Sequence, residues 1–234
     1  MRRRASTTSD AGIAATGRYR DRTEGGRFLA EQLQSYAGRP DVVVLALPRG
    51  GVPVGYEVAK EIRAPLDVFV VRKLGVPGHE ELAMGAIATG GVLVLDEGLL
   101  RTLGIDRAEL ERAVAREAQE LERREQAYRD DRAPPDLEGK TVILVDDGLA
   151  TGSTMHAAAT AVRRQNPARI VVAVPVAAAE TCDAFRDVVD EIVCGVTPRP
   201  FHAVGLWYDD FSQTSDDEVR ELLARAADRS EQSR

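Results

Sequence analysis

Apolar positions along the chain follow two rhythms, and their alternation predicts the architecture. Residues 42–47 are a short continuous apolar run that stops at Pro48-Arg49-Gly50-Gly51, as a strand buried on both faces would. Over 52–62, Val54, Val58 and Ile62 recur every four residues, which predicts a helix. Residues 66–71 read as a second strand. Residues 72–81 hold Gly75, Pro77 and Gly78 and read as a long loop. Residues 85–96 read as two short strands joined at Gly90-Gly91.

Residues 99–132 differ in character. Charge dominates them, and Leu110, Val114, Leu121 and Tyr128 trace one narrow stripe. Glu120/Arg124 and Glu125/Arg129 are i,i+4 pairs in the favourable order. One long helix is expected here, packed along one edge over the domain or against a partner, and it ends at Ala133-Pro134-Pro135. Strand and helix patterns then alternate: strands at 141–145, 170–176 and 191–196, helices at 154–165 and 180–188. The expected fold class is α/β, a mostly parallel central sheet with helices on both faces.

Composition excludes several classes. With 44% hydrophobic and 29% charged residues, the chain is neither collagenous nor wholly disordered. No apolar run is long enough to span a membrane, and the basic start is not followed by the apolar stretch of a secretory signal. A cytoplasmic location is expected. The net charge is −7, while residues 1–27 hold seven arginines against Asp10, Asp21 and Glu24, so the body is the more acidic for it. Nucleic acid is therefore not an expected partner, because it binds a basic face. Residues 1–22 read as a disordered basic arm and 227–234 as a frayed tail. Cys182 and Cys194 read as small apolar residues outside any disulfide framework.

Ligands of open α/β sheets bind beyond the carboxyl ends of the strands. Three such ends carry chemistry: Pro48-Arg49-Gly50-Gly51, Arg72-Lys73, and the stretch from Asp146 to Thr154. In the third, two adjacent carboxylates end a buried strand, where desolvation and mutual repulsion are costly without a compensating ligand or metal. Gly148, Leu149, Ala150, Thr151, Gly152, Ser153 and Thr154 then open a helix. Free amides and the helix dipole make that turn a phosphate cradle, and its hydroxyls add donors. Carboxylates beside such a cradle suit a phosphorylated sugar: the acids accept from vicinal hydroxyls while the loop grips the 5′-phosphate.

The stretch from Val142 to Thr154 closely resembles the PRPP-binding motif of type I phosphoribosyltransferases, with Gly148 standing where that motif usually has an aliphatic residue. The resemblance extends over about 41–211. It implies a phosphoribosyltransferase domain over 23–226, with a helical insertion at 97–132 and a hood over 197–226 that covers the nucleobase. It implies a pyrophosphate loop at Arg49, Gly50 and Gly51, with a non-proline cis peptide between Pro48 and Gly51, and a flexible catalytic loop opened by Arg72 and Lys73, which bind the pyrophosphate as well. The implied reaction is Mg²⁺-dependent displacement of pyrophosphate from PRPP by a nitrogenous acceptor base. Asp146, Asp147, Lys73 and Arg49 are its catalytic candidates. The magnesium would be held mainly by substrate and water, with Asp146 and Asp147 reached through water.

Other positions stay open. Ala150 stands where members acting on 6-oxopurines usually carry Asp, so the motif is nearer the adenine-type version. His79, Glu80 and Glu81 are either acids that approach the base when the loop closes or plain surface residues. Phe201 and Trp207 are candidates to stack on the base, worth ~1–3 kcal/mol, and the competing reading is that Trp207 and Phe211 anchor the last helix on the core. A homodimer remains open. The alternative to a transferase is a PRPP- or nucleotide-sensing regulatory protein on the same fold, and Arg49 with Lys73 favours turnover.

Overall fold

The structure is a computed structural model that describes residues 17–129 and 132–232. Five strands form a wholly parallel sheet: β1 (Val42–Ala46), β2 (Leu66–Val68), β6 (Thr141–Val145), β7 (Arg169–Val176) and β8 (Glu191–Val196), in the order β2-β1-β6-β7-β8. β1 and β6 are buried at every position. Alternate residues feed opposite faces. Val42, Val44, Ile143 and Val145 pack under α1 (Arg22–Gln32) and α2 (Gly51–Ile62). Val43, Leu45, Val142 and Leu144 pack under α5 (Ser153–Arg163) and α6 (Ala179–Phe185). This is the α/β architecture with helices on both faces that the apolar pattern predicts.

The segment expected as a flexible loop is instead a β-ribbon. β3 (Val71–Val76) and β4 (His79–Ala88) pair antiparallel about a turn at Pro77-Gly78, and β5 (Val92–Leu95) joins them in the order β3-β4-β5. The overlooked signal is the alternation of buried Leu74 and Val76 with exposed Lys73. Gly75 and Pro77 mask it. A side chain at Gly75 would meet the Glu80 backbone at 2.7 Å, so the glycine serves close strand contact. The expected turn at Gly90-Gly91 is present, with both residues at positive φ.

The charged segment is two helices, α3 (Glu97–Leu103) and α4 (Arg107–Arg129). Gly104 caps the first in the left-handed region, and Asp106 accepts from the Glu109 amide to start the second. The far end of the expected hood is α7 (Asp216–Gln232), whose Val219 and Leu223 are buried with Leu121 and Tyr128 of α4. α7 also replaces the frayed tail as far as Gln232. The expected arm lies outside the described residues over 1–16, but 17–22 are ordered. Tyr19 is buried, donates to the Pro175 carbonyl and forms a parallel bridge with Tyr208. Cys182 and Cys194 are joined in a disulfide, because α6 packs over β8 and brings together residues 12 apart in the chain. Among the described residues no helix is long and apolar enough to cross a membrane.

Candidate active site

Where β6 leaves the sheet, Asp146 and Asp147 emerge at its carboxyl end. Asp146 Oδ1 accepts from the Asp147 amide at 2.8 Å. Burial, then the neighbouring Asp147 charge, pushes the Asp146 carboxyl well above the ordinary carboxylate range. Asp147 is also raised by burial, but Arg22 opposes the shift through an ion pair from Nε to Oδ2 at 2.9 Å. Both partners are largely buried, 12% and 16% exposed, so this pair is little screened by water.

Arg22 also donates to the Ser212 carbonyl at 2.7 Å and lies 3.9 Å from the Phe211 ring centroid. Tyr208 donates to the Asp147 carbonyl at 2.6 Å. Burial and Asp147 raise the Tyr208 phenol, which keeps it a donor. The acid pair is thus tied to residues 208–212. Sequence reading misses Arg22, which carries no local signal and sits in the segment that reads as a disordered arm.

The turn after the acids opens α5. Gly152 has φ +70° and precedes the first helical residue, and His156 is the first amide to close onto it, donating to the Gly152 carbonyl. The amides of the first helical turn have no intrahelical acceptor, which is the donor set that suits an anion. Leu149 is the exception in the predicted cradle: its amide donates to the Val176 carbonyl and its side chain is buried, so it anchors the loop. Thr181 of α6 donates to the Ala150 carbonyl at 2.6 Å from the other side. Asp146, Gly148, Ala150, Thr151, Gly152, Ser153, Thr154 and Val204 line one cavity of about 170 Å³. Asp146 and the turn therefore share a space, while Asp147 is turned to Arg22 and does not line it. A larger cleft of about 490 Å³ lies behind Thr151, Gly152 and Ser153, but it is faced by Phe185 and Val188 and lacks the acid pair.

Gly148, the departure from the family motif, has a packing cause. A Cβ there would lie 2.6 Å from Val204 Cγ1, so the segment over the site occupies the place of the usual aliphatic side chain. Val204 begins a short 3-10 turn, Val204–Trp207.

On the other side of the acid pair, the Pro48–Arg49 peptide is cis, within the interval that the resemblance implied. The two glycines of this loop touch the acids. A Cβ on Gly50 would meet Asp147 Oδ2 at 2.1 Å, and one on Gly51 the Val145 carbonyl at 2.7 Å. The Gly51 amide is spent on the Leu47 carbonyl, so it is not a free donor to a ligand. Arg49 reaches Asp216 at 3.9 Å.

The predicted Arg72-Lys73 pair divides, because successive strand residues face opposite sides. Arg72 turns away and binds Glu117 of α4 through two nitrogens, at 2.8 and 3.0 Å. Lys73 reaches across to Ser153, Nζ to Oγ 2.8 Å, at the phosphate turn rather than the pyrophosphate loop. His79, Glu80 and Glu81 are exposed near the ribbon tip, where His79 pairs with Val76, ~10 Å along the strand from Lys73, and they border a groove with Leu82 and Leu103. They are not brought to the acid pair. Phe201 and Trp207 are half-buried against Tyr19, Val176 and Tyr208.

A glycine-containing turn that opens a helix and an acid pair stand together at the carboxyl edge of a parallel sheet. Residues 18–198 match the phosphoribosyl transferase domain family, and the chain belongs to that family. Two curated proteins from strains of Mycobacterium tuberculosis, each bearing a provisional phosphoribosyl transferase name, are 47% identical over 206 residues. That alignment covers 88% of this chain and 46% of theirs, so the chain spans about half the length of those relatives. The crystal structure of TT1426 from Thermus thermophilus superposes with a TM-score of 0.79 at 44% identity, over 89% of this chain and 98% of that one. The AQ2163 protein of Aquifex aeolicus, 14% identical with a TM-score of 0.51 over 92% of this chain and 95% of its own, shares the fold.

Proposed function

We propose that the chain is a phosphoribosyltransferase that uses PRPP and magnesium to ribosylate a nitrogenous base. The observation that carries this reading is the single cavity lined by Asp146 and by the phosphate turn. A carboxyl raised by burial gains most from ligands that bring hydroxyl donors or a cation, and a ribose 5-phosphate brings the hydroxyls. In the reaction, the acceptor nitrogen bonds to the anomeric carbon as the carbon–oxygen bond to diphosphate breaks, and the electron pair leaves with the diphosphate. Positive charge grows on the ribose, where the carboxylates of Asp146 and Asp147 are near it. Lys73 and the turn's amides hold the 5′-phosphate while the sugar moves toward the acceptor.

The residues present fit magnesium in the manner that ion prefers. Among the described residues no group of three or more metal-ligating side chains exists, so the ion would arrive with the diphosphate and take Asp146 and Asp147 through water. When bound, it supplies charge neutralisation of the leaving diphosphate.

The direct test is a panel of nitrogenous bases with PRPP and magnesium, read as pyrophosphate release, alongside a thermal-shift titration with PRPP. The reading expects a raised melting temperature with PRPP and release with at least one base. An unchanged melting curve at millimolar PRPP overturns it.

A further inference from the structure

The insertion helix α4 carries chemistry that the reaction above does not use. Arg49 projects from the β1 loop toward α4 and α7, and its one ionic contact among the described residues is Asp216, at 3.9 Å. That is longer than a charge-assisted hydrogen bond, so the ion pair is loose. Around it, Arg123, Arg124, Ala127 and Tyr128 of α4 and Asp216 enclose a cavity of about 130 Å³.

Three guanidiniums therefore converge in an acidic chain. Two carboxylates offset them. Glu120 accepts from Arg123 at 2.7 and 2.9 Å and from Arg124 at 2.8 Å. Asp216 accepts from the Tyr128 hydroxyl at 2.7 Å. Burial and that bond raise the Tyr128 phenol to about 12, so it stays a donor at neutral pH. Asp216 is the first residue of α7 and half-exposed, so its side chain can give up its place. What remains is a donor set with one net positive charge before Asp216 leaves and two after it.

We propose that Arg123 and Arg124, with Arg49 and the Tyr128 hydroxyl, form an anion subsite for the diphosphate class, in which Asp216 is the internal anion that the ligand displaces. The helical insertion thereby lengthens the leaving-group end of the pocket. The inference rests on the transferase reading for the identity of the anion, but binding of inorganic pyrophosphate is measured without turnover, so the two fail separately.

The test is calorimetric titration of the full chain with inorganic pyrophosphate and, separately, inorganic phosphate. The native protein should bind pyrophosphate more tightly than phosphate. Arg123→Ala/Arg124→Ala should weaken pyrophosphate binding about tenfold or more, with little change in melting temperature because both arginines lie on the surface of α4. Asp216→Asn should tighten pyrophosphate binding severalfold, an effect that a merely structural contact would not produce. Equal pyrophosphate affinity in the native and double-arginine proteins overturns the proposal, as does weaker binding in Asp216→Asn. Phosphate bound as tightly as pyrophosphate overturns the diphosphate assignment. Arginine-dependent pyrophosphate binding in a protein that shows no base-dependent turnover supports the subsite and counts against the transferase reading alone.

Discussion

At the turn proposed to grip phosphate the chain offers backbone amides from one continuous stretch, Gly148 to Thr154 apart from Leu149, fixed by the start of α5. At a separate cavity it offers side chains from three elements: Arg49 after β1, Arg123 and Arg124 on α4, and Asp216 on α7. The first arrangement is set by local geometry and changes little with distant substitutions. The second depends on how α4 and α7 pack, and each of its charges is partly quenched by a neighbour. In the proposed reaction, a phosphate gripped by amides would be held in one place, whereas a leaving group held by movable arginines would be received and released.

Four substitutions break or sharpen this contrast. The largest effect is expected from Asp146→Asn, which should abolish the PRPP-induced rise in melting temperature. The same change should stabilise the ligand-free protein at neutral pH. The folded-state carboxyl is raised above its unfolded value, so its stabilising contribution is present at low pH and lost as pH climbs through the raised value. The gain from Asn should therefore shrink toward pH ~4, where the unfolded group also protonates. A melting gain that is independent of pH would contradict the burial argument.

Arg22→Ala leaves Asp147 buried without its cation and should cost about 3 kcal/mol in urea unfolding at pH 7. A loss below the scatter of such measurements would show that the pair is already hydrated. Lys73→Ala removes a charged donor to the 5′-phosphate of the proposed substrate and should weaken PRPP binding about tenfold, seen as a smaller PRPP-induced melting shift; an unchanged shift removes Lys73 from the site. Gly148→Ala, at the amide end, should cost about 1–2 kcal/mol by pressing on Val204. Val204→Ala in the same chain should recover most of it, and absence of recovery would place the strain elsewhere.

The same contrast explains what was legible in the sequence. Runs such as 42–47 and 141–145 announce strands buried on both faces, and the acids and hydroxyls at 146–154 announce the cradle, because each depends only on near neighbours. The ribbon at 71–88 was hidden by Gly75, Pro77 and Gly78, whose loop character outweighed the alternation of Leu74 and Val76. Arg72 beside Lys73 suggested a joint role, yet strand alternation sends one to Glu117 and the other to Ser153. Arg22, Val204 and Asp216 had no local signature at all. Their places at the pocket come from contacts more than a hundred residues away along the chain for Arg22, and from packing of the final segment for the other two.

The guanidinium of Arg22 is a single fastening with three attachments: a carboxylate of the acid pair, a carbonyl beyond Tyr208 and the face of Phe211. The anchoring of 208–212 therefore depends on the charge on Asp147. A change that neutralises that carboxylate also weakens the hold on this last stretch before α7, so the acid pair and the end of the fold share one fastening.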